Sequence, residues 1–123
     1  MTNVIRNFSD ISDNYTTVIC DLWGCLHNGV KSFPKALTAL KDFKDANGKV
    51  VLVTNAPRPI KNIEYQIANL GIKDTHYDML LTSGELTSDY INKICESNLN
   101  IMFQTPWTAL TGTPSGDERC LMA

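Results

Sequence analysis

The sequence predicts an α/β fold, a Rossmann-like parallel sheet with flanking helices. Three observations predict it. Short apolar runs rich in β-branched residues recur along the chain in the pattern of strands covered on both faces. Segments with apolar residues at helical spacing separate them. Turn and capping residues stand at the junctions. Strands and helices alternating at this length form βαβ units with right-handed crossovers. Ligands of such sheets bind beyond the carboxyl ends of the strands.

The first strand is TTVIC, residues 16–20, and Asp21 ends it. Pro34 opens a helix at its first position, and Ala36, Leu37, Leu40 and Phe43 form its apolar stripe. Gly48 is expected to close that helix with a left-handed cap. VVLV at 50–53 is the second strand. Pro57 and Pro59 punctuate its exit, and Ile60, Ile63, Ile67 and Leu70 mark a second helix ending at Gly71. DMLL at 78–81 is the third strand. Thr82-Ser83-Gly84-Glu85 then matches the S/T-x-x-E capping box, ahead of a stripe of Leu86, Tyr90, Ile91 and Ile94. NIMF at 100–103 reads as a fourth strand. From 104 to 123 both periodicities stop and Thr, Pro, Gly and Ser dominate, so an irregular tail is expected, with a turn of helix at 107–110.

Composition narrows the function. The 123 residues are 43% hydrophobic and 20% charged with a net charge of −2, which suits one small domain with a core. Without a basic cluster, nucleic acid and membrane surfaces are not expected partners, and small molecules are. The amino terminus lacks the apolar core of a signal peptide and no segment has the length of a membrane span, so a cytoplasmic location is expected. Cys20, Cys25, Cys95 and Cys120 form no CxxC pair and read as reduced thiols.

The strand ends gather three polar clusters: 21–29, 54–58 and 82–85. A carboxylate after a β-branched run is costly inside a core but suits a strand that ends at a ligand. Asp21 in that place, followed by a glycine turn, is a candidate nucleophile toward phosphorus and a candidate magnesium ligand. Amides of the turn are candidate phosphate donors, and Gly24 permits close approach. Thr54 offers a hydroxyl and Asn55 an amide to the same anion. His27 reads either as an acid/base group or as a structural one. Trp23 reads as a wall of the crevice or as a surface on which substrate stacks.

DLWGCLHNG (21–29), the Pro-led helix, VLVTNAPRP and LLTSGE together resemble the haloacid dehalogenase (HAD) superfamily of hydrolases. They are most similar to its class IIA, NagD-like branch, and to a subgroup whose first motif reads DxWG. The resemblance covers about residues 15–103, the amino-terminal part of the core domain, so 1–103 and 104–123 are treated as separate regions. It implies an incomplete HAD-like core and magnesium-dependent hydrolysis of a small phosphate ester. Asp21 matches the nucleophile and first magnesium ligand. Trp23 matches a position that binds magnesium through its carbonyl and that in most phosphatases is an acid protonating the leaving group. That acid is worth about 100- to 10,000-fold, and Trp23 cannot supply it. Thr54 and Asn55 match the second motif, and Arg58 adds charge near the crevice mouth. The family's later lysine and acidic motifs, and its cap domain, have no counterpart here.

The function expected is therefore a HAD-like hydrolase fragment, a magnesium-dependent phosphatase whose own activity as it stands is left open. One alternative is a noncatalytic phosphate- or nucleotide-binding α/β module. Another is a nonfunctional truncated product that self-associates through an unpaired sheet edge. The abrupt change near 104 is expected to reflect truncation or a shifted reading frame.

Overall fold

The computed structural model describes residues 4–96. The chain divides after Leu86, and the sheet lies wholly before that point. The expected fourth strand and irregular tail lie outside the described residues. Two 3-10 turns, Phe8–Asp10 and Ser12–Asn14, lead into strand β1, Thr17–Asp21. Helix α1, Pro34–Asp45, strand β2, Lys49–Thr54, helix α2, Ile60–Asn69, strand β3, Met79–Thr82, and helix α3, Ser83–Glu96, follow. The strands are parallel in the order β1-β2-β3. Register runs from Thr17 opposite Lys49 to Asp21 opposite Val53, and from Val51 opposite Met79 to Thr54 opposite Thr82.

Strand side chains alternate between faces, and the core collects on one of them. Val50, Leu52 and Leu80 pack in a single cluster with Leu37, Leu40 and Phe43 of α1 and Ile63 and Ile67 of α2. On the other face Ile19 is 71% and Met79 52% exposed. The strands are thus covered on one face among the described residues, not on both as their continuous apolar runs suggest. Phe8 closes one end of the core, its ring 5.5 Å from that of Phe43.

Both helix ends have local causes. Pro34 occupies the start of α1, where its missing N–H costs nothing. At the far end Asn47, not Gly48, takes the left-handed conformation, with φ 67°. Asn47 N–H donates to the Lys44 carbonyl at 2.9 Å and Gly48 N–H to the Phe43 carbonyl at 2.9 Å, a Schellman closure. Gly48 is needed for another reason: a Cβ there would overlap the Phe43 ring. In α2 the expected assignment holds. Gly71 has φ 82°, and Ile72 N–H reaches the Ile67 carbonyl at 3.0 Å while both isoleucines are buried.

Asp78 joins the sheet to α1. Its carboxylate accepts the Val50 N–H at 2.8 Å and meets Lys44 at 3.2 Å and Lys49 at 3.7 Å. The Val50 N–H, then the Lys44 and Lys49 ammonium groups, hold its pKa below the usual value against partial desolvation. Lys44 also donates to the Tyr77 and Asp74 carbonyls, at 2.5 and 3.0 Å. In α3, Leu86 and Tyr90 of the expected stripe are exposed, and Ile91 and Ile94 are half-buried. No described helix is long and apolar enough to cross a membrane.

Candidate active site

Parallel pairing puts the carboxyl ends of all three strands on one edge. Asp21 is the last residue of β1 and pairs with Val53, so Thr54, the last residue of β2, stands one position beyond its level. The Asp21 side chain is exposed, and its Oδ1 accepts the Leu22 N–H at 2.9 Å. That bond fixes one carboxylate oxygen and leaves the other available to a ligand.

The turn after Asp21 is held internally. The Leu22 carbonyl accepts N–H bonds from Leu26 and His27, and Gly24 N–H donates to the His27 carbonyl at 2.8 Å. Gly24 therefore contributes its left-handed backbone, φ 80°, while its amide is already engaged. Trp23 is 63% exposed and meets His27 edge to face at 5.7 Å. A Cβ on Gly29 would come within 2.7 Å of the Trp23 ring, so Gly29 lets the indole lie across the turn. His27 is only 3% exposed, and its Nδ1 accepts the Gly29 N–H at 3.0 Å. Burial lowers its pKa, against an opposing pull from Asp21. Burial, with Cys25 and Asp21 nearby, also pushes the Cys20 thiol up to about 11, so Cys20 is a thiol at neutral pH.

Thr54 Oγ1 accepts the Ala56 N–H at 3.2 Å, which leaves its proton for another acceptor. Asn55 and Arg58 are exposed on the loop that follows. The third cluster shares this edge but turns back onto that loop. Ser83 Oγ donates to the Asn55 and Ala56 carbonyls at 2.8 and 3.0 Å, and Thr82 Oγ1 to the Arg58 carbonyl at 2.7 Å. Thr82 also caps α3 by accepting the Glu85 N–H at 3.1 Å. The reciprocal half of the capping box is absent, because the Glu85 carboxylate accepts the Ile60 N–H of α2 at 3.1 Å. Residues 82–85 thus brace the 55–60 loop.

A cavity of about 160 Å³ lies between the 22–27 turn and α2. Trp23, Thr54 and Asn55, which the sequence singles out, line it together with His27 and Gln66, and of these only Gln66 gives no local signal of function. For magnesium, Asp21 and the Trp23 carbonyl offer two of about six oxygen donors. No group of three His, Cys, Asp or Glu among the described residues could hold a metal ion. The described residues do not by themselves fit the cation.

A profile of haloacid dehalogenase-like hydrolases matches residues 18–107, a span that includes the first residues of the stretch the sequence sets apart. The fold is similar to the crystal structure of a haloacid dehalogenase-like family hydrolase from Brucella suis 1330, at 37% identity and a TM-score of 0.68. That likeness covers 72% of this chain and 34% of the other, so this chain spans about a third of that relative. No curated protein matches. With three parallel strands, flanking helices and Asp21 at the first strand end, the chain belongs to the haloacid dehalogenase-like hydrolase family.

Proposed function

We propose that this chain carries the nucleophile half of a phosphoester hydrolase of the class IIA branch, acting on a small phosphorylated metabolite. The observation that carries this reading is the placement of Asp21 and Thr54 at the ends of adjacent parallel strands. Asp21 attacks phosphorus, forming an oxygen–phosphorus bond as the ester oxygen leaves. With Trp23 in the acid's place, the departing alkoxide takes its proton from water. The Thr54 hydroxyl donates to a nonbridging oxygen, and Asn55 and Arg58 extend the anion site. Water then cleaves the aspartyl-phosphate, releasing inorganic phosphate and restoring the carboxylate. Magnesium is the cofactor this reading carries, with the rest of its ligands coming from outside the described residues.

The test is phosphate release from p-nitrophenyl phosphate in magnesium buffer, for the chain and for Asp21→Asn. Release that disappears in Asp21→Asn supports the reading. Thermal stabilisation by inorganic phosphate without release would replace it with a binding module.

A further inference from the structure

Trp23, Thr54 and Asn55 border one cavity, and Asp21 stands one residue before Leu22 of its wall. A phosphoryl group gripped by Thr54 and attacked by Asp21 therefore has the Trp23 indole as a neighbour. That indole lies over Gly29 and meets His27 edge to face, and Trp23 stays 63% exposed. The turn fixes its place, because Gly24 N–H donates to the His27 carbonyl and His27 N–H to the Leu22 carbonyl. The result is an aromatic surface held at the phosphoryl site with much of its area open.

Among the described residues, neither those that line this space nor Asp21 and Arg58 give a proton to a departing oxygen. Asp21 must be ionised to attack. His27 Nδ1 accepts the Gly29 N–H, which only the neutral ring can do, and the proton left on Nε2 is not an acidic one. Arg58, on the loop after β2, keeps its protons. Trp23 offers an indole N–H, a donor that does not ionise. The leaving oxygen must then carry the electron pair of the breaking phosphorus–oxygen bond by itself. An alkoxide does so poorly, since an alcohol is as weak an acid as water, with a pKa of about 15.7. A phenolate, whose conjugate acid has a pKa of about 10, does so far better.

We infer, resting on the reading of Asp21 as the nucleophile of a phosphoester hydrolase, that the substrates are phosphate monoesters of phenols and that Trp23 selects them. The ring of the leaving group stacks on the indole, a contact favourable beyond the area it buries. Asp21 forms its bond to phosphorus as the bond to the phenol oxygen breaks. The phenolate departs with the electron pair and takes its proton from water afterwards. Trp23 thus acts in two ways: it receives the ring, and as a side chain without an acidic proton it leaves alkyl esters unassisted.

The test compares phosphate release from phenyl phosphate and ethyl phosphate by the full chain in magnesium buffer, with Asp21→Asn as the blank. The value of kcat/KM is expected to be at least about 100-fold higher for phenyl phosphate, the lower end of what a general acid supplies. Phenyl esters are also the more reactive in water, so Trp23→Asp decides. The added carboxyl group is expected to speed ethyl phosphate about 100-fold and to leave phenyl phosphate within severalfold of its parent rate. Trp23→Ala, at an exposed position, is expected to raise KM for phenyl phosphate severalfold and to leave KM for ethyl phosphate unchanged. Comparable rates for the two esters in the parent chain, no gain with ethyl phosphate in Trp23→Asp, or an unchanged KM for phenyl phosphate in Trp23→Ala would each overturn the selection by Trp23 while the hydrolase reading stands. Absence of Asp21-dependent release from both esters would defeat the hydrolase reading, and this inference with it.

Discussion

The Thr82 hydroxyl donates to the Arg58 carbonyl at 2.7 Å and accepts the Glu85 N–H at 3.1 Å, so one buried oxygen joins β3, α3 and the loop before α2. Thr82→Val keeps the shape and loses both bonds, leaving a carbonyl and an amide short of partners. A loss of about 1–3 kcal/mol in urea unfolding is expected. Thr82→Ser, which keeps the hydroxyl, is expected to lose distinctly less.

Gly84 lies against the backbone of the same loop. A Cβ there would come within 2.6 Å of the Pro57 carbonyl carbon and closer still to the Arg58 nitrogen. Backbone cannot swing aside as a side chain does, so Gly84→Ala must displace residues 57–58. The expected cost is about 1–3 kcal/mol, measured by thermal and urea unfolding. Amide shifts of residues 54–58 should accompany it.

His27 carries a pH dependence with a definite sign. Its folded pKa lies below the ordinary 6.5, so the unfolded chain binds the proton first. Its contribution is present above pH 6.5 and is lost as pH falls through 6.5 toward the folded value. Protonation also sets a second donor on Nδ1 against the Gly29 N–H. Melting temperatures measured from pH 8 to 5 should fall, and the fall should be smaller in His27→Gln.

Asp78 sets a second window. Its folded pKa is depressed from 3.8, chiefly by the Val50 N–H. The resulting stability is present above pH 3.8 and disappears as pH drops through 3.8 toward the folded value. Acid unfolding followed by circular dichroism should show less pH dependence below pH 4 in Asp78→Asn than in the parent chain.

Asp21→Asn separates chemistry from fold. The side chain is exposed and accepts a single hydrogen bond among the described residues, which an amide oxygen can also accept. Unfolding free energy is expected to change by under about 0.5 kcal/mol. Phosphate release, where the parent chain gives it, should stop.

Much of this fold is legible in the sequence because periodicity reports burial directly. Leu37, Leu40 and Phe43, and Ile63 and Ile67, face the core as their spacing requires. Pro34 and Gly71 take the places that their backbone chemistry suits. Asn47 and Gly48 exchanged roles because either can adopt a left-handed cap, and only the Phe43 ring requires glycine at 48. Glu85 sits in a local capping motif, yet its partner is Ile60, 25 residues earlier. Local pattern cannot contain that choice. The edge shared by Asp21 and Thr54 follows from counting strands, whereas the inward turn of Thr82 and Ser83 depends on a loop whose path no spacing encodes.

The register of the sheet also bears on how the chain reaches its fold. Each strand pairs with a segment about thirty residues away, and the two closures are nearly equal in length, so their entropic costs differ little. Neither pairing has a topological head start. Since β2 belongs to both, neither closure can proceed without it, and substitutions at Val50 or Leu52 should slow refolding more than equally destabilising changes in β1 or β3.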